Sequence, residues 1–280
     1  MVSSVIAANK FQRVAIVALT ALTLFALTGC GTPAATVGTP TQAQAAAAAA
    51  ALAVPLDSPI TPPILLFIGT GTSSSDVTAV EAILSTNKLT YATATSSQLD
   101  GMTETQLKAY KLLIVPGGNS ITIGNNLKSA TTTNIHNAVI NDGLNYLGIC
   151  AGAFFGGYSI YNGLNLTSGT WFNFYEDYND GIHKNAVQIS SPSSGTLDQY
   201  WQDGPQLSGW GSIVGKYPDG TPAIVEGSSG KGWVILSGVH PEAPASWRSG
   251  MNFTTSVAVD NAYAGTLVLA ALNRTSLPHY

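Results

Sequence analysis

The polarity pattern of residues 63–149 alternates short, largely apolar runs with amphipathic stretches. Ile64–Ile68, Leu112–Val115 and Asn145–Ile149 have the length and composition of strands that are buried on both faces. Between them, apolar positions recur at helical spacing around Val77–Leu84, and Thr133–Asp142 has the pattern of a helix that Gly143 would end. Strands that alternate with helices predict a doubly wound α/β fold with a mostly parallel sheet.

The pattern changes after Cys150. Short runs separated by turn residues predict antiparallel strands. A longer apolar run then predicts a last buried strand, and a final apolar stretch predicts a closing helix. In chain order these segments are Ala186–Ser190, Gly211–Tyr217, Ala223–Glu226, Trp233–Ser237 and Asp260–Leu272.

The N-terminal segment has the organisation of a secretory signal. Lys10 and Arg13 precede the apolar run Val14–Leu27, which is shorter than the roughly 20 residues that a membrane-spanning helix needs. The run ends in Leu-Thr-Gly-Cys, which resembles the bacterial lipoprotein box, and this resemblance implies that Cys30 becomes the lipidated first residue of the mature chain. We therefore expect residues 1–29 to be removed. Acyl chains on Cys30 would anchor the protein to a membrane of the bacterial cell envelope.

Residues 30–62 are rich in Ala, Thr and Pro and include an unbroken alanine stretch, Ala45–Ala51. So few large side chains cannot form a core, and the segment is predicted to be a disordered tether. Because Gly31 and not an aspartate follows Cys30, the lipoprotein resemblance favours the outer membrane. Residues 63–280 are long enough for one sizeable domain.

The charge balance argues against nucleic acid as a partner. The formal net charge is −4, and both basic residues of the first 29, Lys10 and Arg13, would be lost with the signal. No acidic residue lies there, so nine basic residues against 15 acidic ones give the mature chain a net charge of −6. An acidic chain does not favour phosphate backbones or anionic lipid surfaces.

Cys150 is the candidate nucleophile. The stretch Gly148-Ile149-Cys150-Ala151-Gly152 follows a predicted strand and can open a helix, which places Cys150 on a sharp turn at the carboxyl end of the sheet. A helix N-terminus favours the thiolate, the form that attacks carbonyls. If Cys30 is lipidated, Cys150 has no disulfide partner in the chain. The alternative interpretation is a small buried core residue.

His240 is the candidate base among the four histidines. It follows the apolar run Trp233–Ser237, so it also lies at the end of a strand, and Glu242 is close enough to orient its ring. The alternatives are a polar loop residue for His240 and a solvated carboxylate for Glu242. His136, His183 and His279 lie in a polar helix, a polar loop and the C-terminal segment.

These motifs resemble class I glutamine amidotransferase-like domains, and more narrowly the domain at the N-terminus of some eukaryotic biotin-protein ligases. The narrower resemblance is carried by LLIVPGGNS, YLGICAGAFFGG and GKGWVILSGVHPE, with GTGTSSSDV as weaker support. It implies a flavodoxin-like three-layer sandwich with a mostly parallel sheet and added antiparallel strands. It also implies a triad of Cys150, His240 and Glu242.

The same resemblance implies an oxyanion hole formed by backbone N–H groups of Ala151 and of Gly117 or Gly118. One departure concerns the substrate. Glutamine-using amidotransferases usually carry Gln or Glu four residues after the nucleophile, whereas this chain has Phe154, which cannot accept hydrogen bonds from an amino acid. Glutamine is therefore a poor expected substrate. The chain also contains no biotin-ligase catalytic region.

The leading hypothesis is an envelope-anchored thiol hydrolase or transferase that acts on an amide, either a small molecule or a peptide, without a cofactor or metal. The rival hypothesis is a binding module that keeps the fold without turnover. Redox sensing by Cys150 is disfavoured because no resolving cysteine is near. Aromatic residues could line an apolar or sugar-binding cleft, or could instead be packing residues. They are Trp171, Phe172, Phe174, Tyr175, Tyr178, Tyr200 and Trp201.

Overall fold

A nine-stranded sheet forms the centre of the protein in the computed structural model, which describes residues 61–176 and 183–280. Five neighbouring strands run parallel, as the sequence predicts. In sheet order they are β2 (Tyr91–Ala94), β1 (Ile64–Phe67), β3 (Leu112–Val115), β4 (Asn145–Ile149) and β11 (Gly232–Ser237).

Four antiparallel strands extend the sheet from β11. In sheet order they are β10 (Pro222–Ser229), β9 (Ser212–Lys216), β6 (Lys184–Ser191) and β7 (Gly195–Gln202). A separate two-stranded ladder pairs β5 (Asn173–Phe174) with β8 (Pro205–Gln206). Strand β7 is not among the predicted elements, whereas β6, β9 and β10 coincide with predicted strands.

Helices cover both faces of the sheet, because the central strands are apolar on both sides. Ile64 and Leu66 belong to one buried cluster, and Leu65 and Phe67 belong to a second. The first cluster contains α1 (Ser74–Thr86) and α7 (Val257–Asn273), which contact each other. The second contains residues from α2 (Ser96–Asp100), α3 (Glu104–Leu107), α4 (Ser120–Asn125), α5 (Ser129–Asp142) and α6 (Ala151–Gly156). The result is a three-layer α/β sandwich.

The pairing of β4 with β11 determines where the candidate site forms. Ile149 lies opposite Ser237 in this parallel pair, so the chain leaves both strands at the same edge of the sheet. At the other end of the pair, the side-chain oxygen of the buried Asn145 accepts a hydrogen bond from the backbone N–H of Trp233 at 3.0 Å, across 88 residues of sequence. This bond fixes the register of two strands that are distant in the chain.

The first helix, α1, is capped at its N-terminus by Ser73. Ser73 occupies the N-cap position, and its hydroxyl accepts a hydrogen bond from the backbone N–H of Asp76. Asp76 therefore lies in the first turn, where the helix dipole favours a negative charge.

The predicted signal, the lipidation site Cys30 and nearly all of the tether lie outside the described residues, as does Tyr178. These predictions stay predictions. Within residues 61–176 and 183–280, no helix combines the length and the apolar character needed to cross a bilayer.

Candidate active site

Cys150 occupies a strained turn between β4 and α6. Its backbone has φ 50° and ψ −104°, a conformation that non-glycine residues rarely adopt. The turn is held by the backbone N–H of Cys150, which donates to the carbonyl of Ser237 on the neighbouring β11 at 2.7 Å. Strained backbone of this kind concentrates at functional sites, where it directs a side chain. The side chain is 6% exposed, and its thiol donates to the backbone oxygen of Gln202 at 3.5 Å.

Glycine is required at position 152 because two backbone segments meet there. A Cβ atom on Gly152 would collide with the carbonyl oxygen of Val115 at the end of β3. A side chain at this position would therefore push α6 away from the sheet and would displace Cys150 at its first turn.

His240 reaches the same edge of the sheet by way of β11. Its backbone N–H donates to the carbonyl of Tyr200 at 2.8 Å, which ties the residue to β7. Its Nδ1 atom lies 2.9 Å from Oε1 of Glu242. Cys150 and His240 line the same pocket, so the structure brings the three predicted triad residues to one place. With Nδ1 directed to a carboxylate, Nε2 is the ring nitrogen that remains for the thiol.

A second carboxylate, which the sequence interpretation did not include, lies beside the same ring nitrogen. Oδ1 of Asp76, in the first turn of α1, is 3.2 Å from Nδ1 of His240, and Asp76 is buried. The hydroxyl of Ser75 is 3.5 Å from the other oxygen of Asp76. The only hint in the sequence is that Asp76 ends the segment GTGTSSSD, where an acidic residue is ordinarily explained as part of a helix N-terminus.

The surroundings of the imidazole favour its charged form. Burial acts to lower the pKa of His240, but the negative charge of Glu242 and the nearness of Cys150 and Asp76 raise the pKa well above its ordinary value. A protonated imidazole next to a cysteine favours the thiolate, which is the form that acts as a nucleophile.

The two carboxylates respond differently to the same site. Burial acts to raise the pKa of Asp76, but the hydrogen bond and charge of His240 and the hydroxyls of Ser73 and Ser75 lower it overall. The pKa of Glu242 is raised because its burial outweighs the effect of His240, and its Oε2 atom has no hydrogen-bond partner among the described residues. Asp76 is therefore the carboxylate whose surroundings better sustain a negative charge.

Two neighbouring aromatic rings pack against the imidazole. The rings of Tyr200 and Trp247 both lie 5.7 Å from that of His240, in edge-to-face arrangements. Trp247 belongs to a 3-10 helix, Ala245–Arg248, which is anchored by an ion pair of 2.6 Å between the buried Arg248 and Asp260. The ring orientation of His240 is thereby tied to a buried charge pair outside the site.

The glycines after β3 occupy two different positions. Gly117 lies against the imidazole, since a Cβ atom built on it would be 2.7 Å from Cε1 of His240. Gly118 has φ +145°, which favours glycine, and it lines a pocket with Cys150. The backbone N–H groups of Gly118 and Ala151 have no acceptor among the described residues. Of the two glycines, Gly118 is the one that lines the pocket containing Cys150.

Asp76, His240 and Glu242 are also the only group of three potential metal-ligating residues in the described part of the chain, with donor atoms within 4.8 Å of one another. Direct hydrogen-bond distances between Nδ1 and both carboxylates account for this closeness. We therefore interpret the cluster as a charged imidazole held by two carboxylates.

The aromatic residues singled out in the sequence divide between core and cleft. Trp201 and Phe172 are buried, and Tyr175 stacks on Tyr217 with ring centroids 3.7 Å apart. Trp171, Phe172 and Phe174 line a groove, and Tyr200 lines the polar pocket at Cys150. Some of these aromatic residues are therefore packing residues and others line cavities, and a ligand-binding role for the second group stays a prediction. Of the remaining histidines, none lines the pocket that contains Cys150.

A family model described as "Biotin-protein ligase, N terminal" matches residues 63–177. Cys150 and the glycines after β3 lie inside this segment, whereas His240 and Glu242 lie beyond it. Among curated protein sequences, none matches the chain significantly.

Solved structures resemble the chain in fold at low sequence identity. A Thermoplasma acidophilum protein described as one of the subunits of GMP synthase has a TM-score of 0.50 and 9% identity, covering 76% of this chain and 96% of that one. Cytoplasmic protein STM3548 from Salmonella typhimurium has a TM-score of 0.47 and 12% identity, covering 74% and 98%. The exo-β-1,4-mannosidase Op5Man5 from Opitutaceae bacterium strain TAV5 has a TM-score of 0.49 and 12% identity over 74% of this chain.

The chain spans only 36% of the length of that mannosidase. The match to the GMP synthase protein, together with the sheet described above, gives the fold. The protein is a three-layer α/β sandwich with a mostly parallel sheet extended by antiparallel strands, a fold that it shares with the GMP synthase protein.

Proposed function

We propose that the protein is a thiol-dependent amide hydrolase or transferase in which Cys150 is the nucleophile and His240 the proton carrier. The observation that carries this proposal is that Cys150, on its strained turn, lines one pocket with His240, whose Nδ1 faces the carboxylates of Glu242 and Asp76. Nucleophile, base and orienting groups within reach of one another are the signature of covalent catalysis.

The first half of the reaction forms a thioester. The Cys150 thiolate attacks the amide carbonyl carbon, and the carbonyl oxygen becomes an oxyanion near the backbone N–H groups of Gly118 and Ala151. When the tetrahedral intermediate collapses, the C–N bond breaks and the His240 imidazolium gives its proton to the leaving amine. The acyl group stays on sulfur as a thioester, and neutral His240 remains.

The second half releases the acyl group. His240 takes a proton from water, or from an acceptor amine or alcohol, and the resulting nucleophile attacks the thioester carbonyl. The C–S bond breaks, the acyl group leaves as an acid, amide or ester, and the thiolate–imidazolium pair is restored. Asp76 and Glu242 hold the imidazole by Nδ1 throughout, so Nε2 carries the proton in both halves.

The second candidate function is a binding module without turnover, and one observation favours it. Phe154, four residues after Cys150, lines the cavity at the thiol, where glutamine-using relatives usually place a polar side chain. A pocket remodelled in this way is compatible with ligand binding alone. The same residue is the reason that we propose a substrate other than glutamine.

Turnover of amide libraries by the full chain distinguishes the two functions. Peptide and N-acyl amide pools are incubated with wild type, Cys150→Ala, His240→Ala and the exposed control His279→Ala, and products are followed by mass spectrometry. The hydrolase proposal predicts turnover in wild type and His279→Ala, a loss of at least about a thousandfold in the other two variants, and an acyl adduct on Cys150 that hydroxylamine removes. Turnover that survives Cys150→Ala would refute it, and binding of an amide without any turnover would support the binding module.

We further propose that this activity is located at the bacterial cell envelope, anchored through lipid on Cys30, at the outer membrane where the cell has one. The support is the sequence of the first 31 residues: a basic start, a short apolar run and Leu-Thr-Gly-Cys-Gly.

A further inference from the structure

Three adjoining cavities run past Cys150. A polar pocket of about 370 Å³ contains His240 and Asp76, and a middle cavity of about 460 Å³ shares Gly118, Cys150 and Gln202 with it. The middle cavity also shares four residues with a third cavity of about 280 Å³, which has no lining residue in common with the polar pocket. They are Ser120, Ile121, Phe154 and Phe174. The thiol therefore lies between a polar region and the third cavity.

The third cavity is an aromatic groove. Its lining includes Trp171, Tyr158 and Phe174, whose side chains are 47%, 42% and 41% exposed. Phe154 and Phe174 form its inner wall, with ring centroids 5.0 Å apart in an edge-to-face pair. None of the described residues that line the groove carries a charge. Exposed apolar surface concentrated in one groove is typical of a binding site.

The polar pocket has the opposite character. It contains Lys184 together with Asp76, His240 and several serine hydroxyls. A ligand that spans both regions with its reacting carbonyl at Cys150 must therefore be apolar on one side of that carbonyl and polar on the other.

We infer that the aromatic groove is a substrate subsite that binds a bulky apolar substituent of the amide, either an aromatic side chain or an aliphatic acyl chain. This inference rests on the proposed function, because it assigns the groove to the substrate of Cys150. The groove adjoins the cavity at Cys150, with which it shares Ile121, Phe154 and Phe174. For this reason we assign the groove to the substrate and not to a partner protein. The volume of about 280 Å³ accommodates one such group.

The position of Phe154 gives the groove its selectivity. Phe154 follows Cys150 by one helical turn in α6, and its backbone N–H donates to the carbonyl of Cys150 at 3.1 Å. This bond fixes the backbone of Phe154 relative to Cys150, and the edge-to-face contact with Phe174 holds its ring. A polar substituent placed against Phe154 and Phe174 would lose its hydrogen bonds to water without replacing them, whereas an apolar one loses none.

Competing thiol-directed probes of equal reactivity test the inference. N-benzyl, N-octyl and N-(2-hydroxyethyl) 2-chloroacetamide each alkylate Cys150: the thiolate sulfur forms a bond to the methylene carbon, the carbon–chlorine bond breaks, and chloride leaves. The second-order rate for each probe is measured on the intact full chain by mass spectrometry. The readout is the rate with an apolar probe divided by the rate with the hydroxyethyl probe, which cancels changes in thiol reactivity and in the folded fraction.

We expect at least one apolar probe to exceed the hydroxyethyl probe by about tenfold or more in wild type, since filling an apolar pocket discriminates on this scale. The faster of the benzyl and octyl probes identifies an aromatic or an aliphatic substituent. Trp171→Ala and Ile121→Asn should each bring the ratio towards one. Tyr280→Ala, which removes an exposed aromatic ring outside the groove, should preserve it.

Equal rates for all three probes in wild type, or a ratio that Trp171→Ala and Ile121→Asn leave intact, would overturn the inference. So would dimerisation in sedimentation velocity that Trp171→Ala abolishes, because the groove would then bind a second copy. Failure of the proposed function has a different signature: no amide turnover and no acyl adduct, whatever the probe ratio.

Discussion

Oδ1 of Asp76 lies 3.2 Å from Nδ1 of His240, although Glu242 already accepts a hydrogen bond from the same nitrogen at 2.9 Å. The same ring nitrogen is thus close to two carboxylates that come from opposite ends of the domain sequence. Because the pKa of Asp76 is lowered and that of Glu242 is raised, Asp76 is the better permanent counter-charge.

Replacing Asp76 with Asn should lower the pKa of His240, because the hydrogen bond to Asp76 raises it. The measurement is an NMR titration of ¹³C-labelled histidine, with the His240 signal assigned from His240→Ala. Each unit of decrease corresponds to a factor of ten in the protonation equilibrium. The control is Asp142→Asn, which removes a surface carboxylate 3.8 Å from Lys108. An unchanged His240 titration in Asp76→Asn would refute the role of Asp76.

The stabilising effect of Asp76 should depend on pH in a defined window. The folded-state pKa of Asp76 is below its ordinary value of 3.8, so its contribution is present above 3.8 and is lost as pH falls through the folded pKa. The folded-state pKa of His240 is above 6.5, so its contribution is complete below 6.5 and is lost as pH rises through the folded pKa.

The difference in unfolding free energy between wild type and Asp76→Asn should therefore be largest between about pH 4 and 6.5. It should shrink in more acidic and in strongly alkaline solution. Urea unfolding at a series of pH values measures it, and a difference that is constant from pH 3 to 9 would contradict the proposed ion pair.

The ion pair of Arg248 with Asp260 should contribute strongly to stability. Both residues are buried, so removing Arg248 leaves a buried carboxylate without its partner, a change that typically costs about 3 to 5 kcal/mol. Arg248→Ala should show this loss in urea unfolding. Lys108→Ala, which breaks an exposed pair, should change stability by less than about 1 kcal/mol. Similar values for both variants would show that Arg248 does not anchor the 3-10 helix beside His240.

Gly152→Ala should destabilise the domain by about 3 kcal/mol or more, because the added methyl collides with the carbonyl of Val115 and backbone atoms must move. The matched control is Gly101→Ala, where the nearest atom to an added Cβ is 3.4 Å away. The control should stay within about 0.5 kcal/mol of wild type. Thermal unfolding followed by circular dichroism separates the two, and equal midpoints would contradict the close approach of α6 to β3.

The Cys30→Ser variant tests envelope anchoring. If Cys30 is lipidated, an alkynyl fatty acid fed to the expressing bacterium should label wild type and not Cys30→Ser. The variant should also leave the membrane fraction, because stable anchoring requires the acyl chains. Cys150→Ser serves as the control and should keep both the label and the membrane association. Labelling that persists in Cys30→Ser would refute the lipoprotein prediction.

The parallel half of the fold and two residues of the site could be predicted from sequence because apolar runs mark buried strands. Cys150 and His240 each follow such a run, and the carboxyl ends of parallel strands meet at one edge of the sheet. Cys150 and His240 lie close together because of the register between β4 and β11, and no local sequence pattern specifies that register.

Strand β7 and Asp76 could not be predicted because their polar side chains are buried by partners far away in the chain. In β7, Asp198 hydrogen-bonds Thr254, and Gln199 hydrogen-bonds Asp260 at 3.0 Å. These polar positions therefore do not alternate as those of an exposed strand do. Asp76 lies in the polar first turn of α1, and only the packing of His240 against it in the folded structure shows that it belongs to the site.

The hydrogen bond between Asn145 and Trp233 has a consequence for how the molecule assembles. It joins positions 88 residues apart, so the chain must close a long loop before β11 enters the sheet, and contacts of such separation form slowly during folding. Until β11 has joined the sheet, the turn between β4 and α6 can form and hold Cys150 without His240 beside it. The nucleophilic reactivity of Cys150 should thus arise late on the folding pathway, once β11 has brought His240 to the edge of the sheet.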